Sequence, residues 1–403
     1  MDKQVFIIGA GPGAREHLTL CAHEAIHSAG LLIGAPRLLE GFADLPCEKY
    51  PCVRPGDIAR RVAESETSAI AVLLSGDVGF HSGAKLLLEQ LAGREVKVLP
   101  GIGSLQYFCA RLHTPWEDVH TVSAHGKAVN IAAHAAAHPR SFFLTGGEAT
   151  AQSLCAALTD CGMGDARVSV GSRLSYPDEA IFTGTAAEAA RRSFDPLSVV
   201  LVERASLPRW PYATGGIPDH LFIRGEVPMT KAEVRAVSLA KLGLRRGDTV
   251  YDVGAGTGSV SVEAACCAPD GRVYAIEHNP QALALIEKNR AAFGAFNIEV
   301  IAGKAPDALA GLPAPDAVFV GGSGGNLAEI LQTVAQKNPA VRVVVNAITL
   351  QTLTAAMSGL EALGFTGIEA VQIGVSRLGG QGGSRMLLAQ NPVFIISGQG
   401  AGR

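Results

Sequence analysis

Aromatic residues make up only 5% of this 403-residue chain, and charged residues only 18%. The formal net charge is -3, which removes the basic surface expected of a nucleic-acid or polyanion binder. The eight cysteines (Cys21, Cys47, Cys52, Cys109, Cys155, Cys161, Cys266 and Cys267) form no CxxC pair. This argues against a zinc knuckle and a disulfide framework, and suits small apolar residues in a reducing compartment. No apolar run reaches the length of a membrane span. MDKQVFIIGAG runs into a strand with no signal-peptide pattern, so a cytoplasmic location is expected. His113, His120, His125, His134 and His138 lack metal-ligand spacing, and no metal is expected.

Glycine, by contrast, is abundant at 47 residues, and 48% of the chain is hydrophobic. Together these favour an α/β architecture with many tight turns, divided into two or three domains. The chain is organised around VYDVGAGTGSVSVEAA, residues 250–265. It reads as a strand ending at Asp252, a turn through Gly254, Ala255, Gly256, Thr257 and Gly258, and a helix from about Ser259. Glycines let the backbone turn sharply and approach a ligand, while the new helix offers free N–H groups. Glu277 ends a second apolar run about 20 residues on, where the dinucleotide fingerprint places a ribose-binding acid. A carboxylate at Asp252 would repel a pyrophosphate and attract a cationic sulfonium with an amino group. This turn resembles the first motif of class I S-adenosylmethionine-dependent methyltransferases. NAD binding and a purely structural turn remain open on these residues alone.

In the N-terminal half, strands are expected at Val5–Ile8, Leu31–Gly34, Ile70–Leu74 and Val96–Leu99, with a helix over 16–29. Three of these strands end in glycine loops: Gly9–Gly13 without the GK[ST] of a P-loop, Ser75–Phe80, and Pro100–Ser104. In an open sheet such ends line one crevice. Asp77 has two readings, a helix cap or a ligand contact. Strands at Thr121–Val122, Phe142–Leu144, Val168–Val170 and Val199–Glu203 would build a second lobe after Trp116. The words VFIIGAGPG, LLSGDVGF, LPGIGSLQYF, SAHGK, FFLTGG and SRLSYPDEAIFTGTAAE, in this order through about the first 205 residues, resemble the tetrapyrrole methylases, or class III methyltransferases. That resemblance implies S-adenosylmethionine folded between two α/β lobes, touching Gly76, Asp77, Val78, Gly101 and Ser104. The loop 9–13 would face a tetrapyrrole, and His125 has the best claim to the cleft.

Residues 205–216, ASLPRWPYATGG, break both periodicities and read as a linker (206–216 in the boundary adopted), between domains 1–205 and 217–403. Thr230 with Glu233 three residues later suggests a capping box on an amphipathic helix. Strand and helix then alternate: strand 273–277, helix 280–293, strand 298–302, helix from about 306, strand 316–320, helix 326–336, strand 341–345, helix 350–363. A strand, loop and returning strand close the chain. This is a doubly wound parallel sheet with the antiparallel end of class I methyltransferases, seven strands in all. No (D/N)PP(Y/F/W) motif follows the strand at 316–320, which disfavours base and amide substrates.

PMTKAEVRAVSLAKLGLRRGDTVYDVGAGTGSVSVEAA, YAIEHNPQAL and DAVFVGGSGGNLAEIL resemble the decarboxylating precorrin methyltransferases of cobalamin biosynthesis. The resemblance lays the PMTK segment, with Thr230 and Lys231, over the cofactor, and adds Ala305 to the cofactor-binding set. It implies a reduced tetrapyrrole substrate, two S-adenosylmethionine sites, two methylations and loss of one carboxyl. Enamine-like carbons need positioning more than acid–base help. The substrate's remaining carboxylates call for cations. Candidates are Arg224, Lys231, Arg377 and Arg385 in the C-terminal half, and Arg15, Arg111 and Lys127 in the N-terminal half. Expected partners are the tetrapyrrole and further copies of the chain in a homo-oligomer, with no nucleic acid and no membrane. Another small-molecule or RNA methyltransferase with an accessory domain, or a non-catalytic tetrapyrrole-binding scaffold, remains possible from sequence.

Overall fold

A computed structural model describes residues 3–125, 129–204, 215–379 and 385–402. Most of the expected linker, Lys127 and most of the loop 379–383 lie outside the described residues. The chain divides into two compact units, Met1–Val129 with Arg140–Arg204, and Asn130–Pro139 with Ala205–Arg403.

The first unit holds two five-stranded sheets. One is fully parallel and contains β1 (Gln4–Gly9), β2 (Leu31–Gly34), β3 (Glu48–Pro51), β4 (Ala69–Leu74) and β5 (Val96–Leu99), in the order β3-β2-β4-β1-β5. Its inner strands are unbroken apolar runs because both faces are covered: Val5, Ile7, Ile8, Ile70 and Val72 are buried. The edge strand β3, EKYP, is largely exposed, and its charges and proline hid it from a search for apolar runs. The other sheet has β6 (His120–Ser123), β7 (Arg140–Leu144), β8 (Arg167–Ser172), β9 (Ala180–Thr185) and β10 (Ser198–Glu203), ordered β6-β7-β10-β8-β9 and antiparallel except for β6 with β7. The expected helix over 16–29 is instead a 3-10 turn, Arg15–His17, followed by a helix Leu20–Ser28. Thr19 causes the break, since its hydroxyl caps the second piece by accepting from Ala22 N.

The second unit holds a seven-stranded sheet, β13-β12-β11-β14-β15-β19-β16. Its members are β11 (Thr249–Val253), β12 (Arg272–Glu277), β13 (Ile298–Ala302), β14 (Ala317–Val320), β15 (Arg342–Ala347), β16 (Thr366–Ile373) and β19 (Val393–Gln399). The first five are parallel, and β19 inserts antiparallel between β15 and β16. β11 sits mid-sheet, so its turn opens at the carboxyl edge where this architecture binds ligands. The expected helix from about 306 is only a 3-10 turn, Asp307–Leu309, stopped by Gly311 and Pro313. The closing segment contains four strands: β17 (Ser376–Gly379) and β18 (Met386–Ala389) pair with each other as a separate ribbon.

Candidate active site

In the second unit the glycine turn is dictated by contact. Gly254, Gly256 and Gly258 all have left-handed φ, between +57° and +76°. A Cβ on Gly254 would lie 2.5 Å from the Gly322 carbonyl, and one on Gly256 3.0 Å from the Pro228 carbonyl. Glycine alone lets the turn sit against both neighbours. The loop is tied down by Gly254 N and Ala255 N donating to the Ile276 carbonyl. Glu277, at the end of β12, accepts from Gly256 N at 3.0 Å, His278 N at 2.8 Å and Asn279 N at 2.9 Å.

These groups border a cavity of about 520 Å³, within the range of small-ligand sites. Its lining includes Gly254, Gly256, Glu277, Ala305, Thr230 and Lys231 from the expected set. Ala255, Thr257 and Gly258 support the turn from beneath without lining it. The segment Val227–Lys231 contributes to one wall. That segment is clamped by Arg235, which is 0% exposed. Its guanidinium donates to Thr230 O, Ile217 O and Glu263 Oε1, each at 2.5 Å. Glu263 in turn accepts from Gly216 N and Ile217 N, both at 2.8 Å.

Two expectations about this site need correction. Asp252 does not reach the cavity. Its carboxylate is buried beneath the turn and accepts from Ser261 Oγ at 2.5 Å, while Oδ1 has no partner among the described residues. Burial, opposed by the Ser261 bonds, pushes its pKa up to about 7. The capping box is absent as well. Lys231, not Thr230, occupies the N-cap of the helix Ala232–Leu242 and has no side-chain cap bond. Asp219 accepts from Ala232 N instead, and Glu233 is engaged by Arg377.

In the first unit, β4, β1 and β5 are neighbours, so their three glycine loops meet. Gly11 and Gly76 exchange backbone hydrogen bonds, and a Cβ on Gly101 would lie 2.4 Å from the Gly9 carbonyl. Asp77 is neither a helix cap nor free: its two oxygens accept from Gly79 N at 2.8 Å and Gly101 N at 3.0 Å, joining two loops. A cavity of about 430 Å³ lies over these loops, lined by Gly76, Asp77, Ser104, His125, Thr145 and Ser198 among others. Val78 packs on the apolar core instead, and Gly101 acts through its N–H. Each unit thus has a glycine-backed cradle at the carboxyl ends of parallel strands, of a size and polarity that accept S-adenosylmethionine. The Glu277 carboxylate lines the second unit's cradle beside the Gly256 N–H it accepts from.

Residues 4–190 match the family of Tetrapyrrole (Corrin/Porphyrin) Methylases, and residues 221–398 match the Precorrin methyltransferase domain. A precorrin-6Y C(5,15)-methyltransferase [decarboxylating] from Sinorhizobium sp is 30% identical over 385 residues, covering 94% of this chain and 92% of the relative. The chain belongs to this family. A probable cobalt-precorrin-6B C(15)-methyltransferase (decarboxylating) of Pyrobaculum calidifontis is 48% identical over 191 residues, 47% of this chain and 97% of its own length. The Salmonella typhimurium cobalt-precorrin-6B C(15)-methyltransferase (decarboxylating) is 44% identical over 183 residues, 45% of this chain and 94% of its own length.

For this family member the expected carboxylate-binding cations divide sharply. Arg377 is consumed by Glu233 at 2.6 Å and Asp219 at 3.0 Å. Arg15 is paired with Asp44 and stacks over Phe42. Arg111 pairs with Glu179 at 2.7 Å. Burial works to raise the Glu179 pKa, but bonds from Ser175 N, Tyr107 and Arg111 bring it below its ordinary value. Arg224 and Arg385 are exposed and do not line the cavity. Among the described residues Lys231 is the one expected cation that does, joined by Lys304, which the sequence reading missed. Asn346, Ile348, Gln390 and Asn391 were also missed, because single amides and an isolated isoleucine carry no motif. Among the described residues, no group of three His, Cys, Asp or Glu is placed to hold a metal ion.

Proposed function

We propose that this chain methylates precorrin-6Y at carbons 5 and 15 and removes the carboxyl of the ring-C acetate, giving precorrin-8, with S-adenosylmethionine as methyl donor. The observation that carries the reading is two separate glycine-backed cavities of cofactor size, one in each unit, on a chain 94% of which is matched by a C(5,15)-methyltransferase. The bound donor supplies an electrophilic sulfonium methyl at each site. The protein's own residues position and enclose. Glu277 and the Gly254–Gly258 turn would hold the ribose and methionine parts, Val227–Lys231 would wall off water, and Lys231 would pair with a retained carboxylate. Gly76, Asp77 and Ser104 would serve the first-unit site through the loops they join. The test is mass spectrometry after incubation with precorrin-6Y and the donor. Two methyl gains with one carbon dioxide loss are expected; no methyl gain would defeat the reading.

We also propose that the units divide the chemistry, the first methylating carbon 5 and the second methylating carbon 15 with decarboxylation. Relatives of half this length carry the C(15) and decarboxylating name alone, which supports the division. Gly256→Arg should fill the second cavity and give a singly methylated product with every carboxyl retained. Gly101 is a poor blocking position in the first unit, because any side chain there breaks the loop packing. Ser104→Arg, at the cavity wall, should give a singly methylated product that has lost one carboxyl. Decarboxylation surviving in Gly256→Arg would refute the division.

We propose further that the chain works as a cytoplasmic homo-oligomer on free tetrapyrrole rather than nucleic acid. No helix among the described residues is long and apolar enough to cross a membrane. The ribbon of β17 and β18 exposes Leu378 and its partner Leu387 on one face and Met386 and Leu388 on the other, an apolar edge suited to a second copy. Light scattering should show an oligomer that Leu387→Asp weakens; a monomeric parent protein would exclude it.

A further inference from the structure

The proposed decarboxylation sets a constraint on the second cavity. The carboxylate that leaves loses its charge as its electron pair moves into the conjugated iminium made by methylation. A cation gripping it would stabilise the ground state more than the transition state and slow the step. The cavity must therefore contain a place that orients a carboxylate without a full positive charge.

One corner of the lining has that character. Asn346 lies near the carboxyl end of β15, and Gln390 and Asn391 lie just before antiparallel β19, its neighbour, begins at Val393. Glu277 ends β12, three strands away from β15, about 14 Å at ordinary strand spacing. The amide corner is thus on the far side of the glycine turn from the ribose acid. Lys304 follows β13, and its ammonium reaches Gly324 in the loop after β14, where it stays on the glycine-turn side of the corner. Lys231 precedes Ser238 by about two helical turns, about 10 Å along the helix axis. Ile348, 74% exposed, forms an apolar lip beside the corner, suited to a macrocycle face.

Asn346 is also tied at its amide oxygen. Ser238 is fully buried, and its one hydroxyl proton is shared between the Val234 carbonyl at 2.8 Å and Asn346 Oδ1 at 3.0 Å. With Oδ1 engaged by Ser238, Nδ2 is the end of the amide left for the cavity. We propose that Asn346, Gln390 and Asn391 form an uncharged subsite for the departing acetate carboxylate, with Asn346 Nδ2 as the donor that orients it. The bond from the acetate methylene to the carboxyl carbon breaks, its electron pair neutralises the iminium, and carbon dioxide leaves. A proton from water later reaches the exocyclic methylene carbon.

This inference rests on the precorrin-6Y reading, so the parent protein is assayed first; failure to methylate there sinks both. If it converts precorrin-6Y, Asn346→Ala, Asn346→Lys and Ser238→Ala are compared by mass spectrometry. The fraction of methylated product retaining all its carboxyls should rise at least tenfold in Asn346→Lys, and by less in the other two. Calorimetry with S-adenosylhomocysteine checks the cofactor side of the cavity. Carbon dioxide loss keeping pace with methylation in Asn346→Lys would overturn the proposal. So would loss of S-adenosylhomocysteine binding in all three variants, because Asn346 would then serve the cofactor; Asn346→Ser repeats the comparison if Asn346→Lys does not fold.

Discussion

Glu277 and Asp252 are two carboxylates near one turn with opposite situations. Glu277 lines the cavity and accepts three backbone N–H groups. Its removal should cost both a ligand bond and the order of the turn. Glu277→Ala is expected to weaken S-adenosylhomocysteine binding by roughly 1.5–3 kcal/mol, the range for bonds to charged groups; unchanged affinity by calorimetry would refute its role. Asp252 is buried, and burial lifts its pKa from 3.8 to about 7. A raised carboxyl pKa means the folded state holds a proton that the unfolded chain releases. Its stability contribution is therefore full below about pH 4 and is lost as pH rises towards 7. Asp252→Asn should leave stability near pH 4 almost unchanged and raise it at pH 8 by roughly 3–5 kcal/mol, at about 1.4 kcal/mol per pKa unit over about three units. Thermal unfolding at the two pH values measures this, and an equal shift at both would show that titration is not the cause.

Among elements, the wall segment Val227–Lys231 depends on a buried ion pair. Arg235 joins Thr230 O and Ile217 O to Glu263, and stacks on Phe222 at 4.8 Å. Asn289, also fully buried, binds both backbone groups of Ile223 and the Thr257 carbonyl, tying the same stretch to the glycine turn. Truncating Arg235 would strand the Glu263 carboxylate in the core. Arg235→Ala should destabilise the second unit by roughly 3–5 kcal/mol, the cost of breaking a buried pair. It should also raise the KM for the methyl donor. Arg235→Met with Glu263→Leu should recover much of the stability without restoring KM, because the Thr230 carbonyl stays unclamped. A double variant with normal KM would show that the clamp does not position the wall.

For the whole molecule, each unit has its own sheets and its own apolar clusters. We propose that residues 217–403 fold alone and unfold cooperatively, with S-adenosylhomocysteine raising the midpoint. The helix Ile131–Ala137 groups with the second unit although it lies in the sequence of the first. Cutting between 205 and 217 separates that helix from its unit, so each fragment should unfold at lower temperature than the parent chain. Circular dichroism on both fragments decides this; no cooperative transition in either would mean the units are not independent.

The sequence by itself determined the apolar parallel strands, the glycine turns and the family, because these rest on local rules. Parallel strands covered on both faces are continuous apolar runs, as in VFII and AIAVLL, and a backbone approaching backbone or ligand demands glycine at Gly9, Gly101 and Gly254. Interactions set by distant partners were left to the tertiary structure. Asp252 stood where a ligand-facing acid was expected, yet Ser261 on the following helix and the core around it turn it inward. Arg377 and Arg111 looked like free cations until Glu233 and Glu179, 144 and 68 residues away, claimed them. Asn346, Gln390 and Asn391 came to line one cavity only because β19 runs antiparallel beside β15. Periodicity and turn chemistry are properties of adjacent residues, whereas the charge and orientation of a site depend on which remote groups the sheet order brings within hydrogen-bond reach.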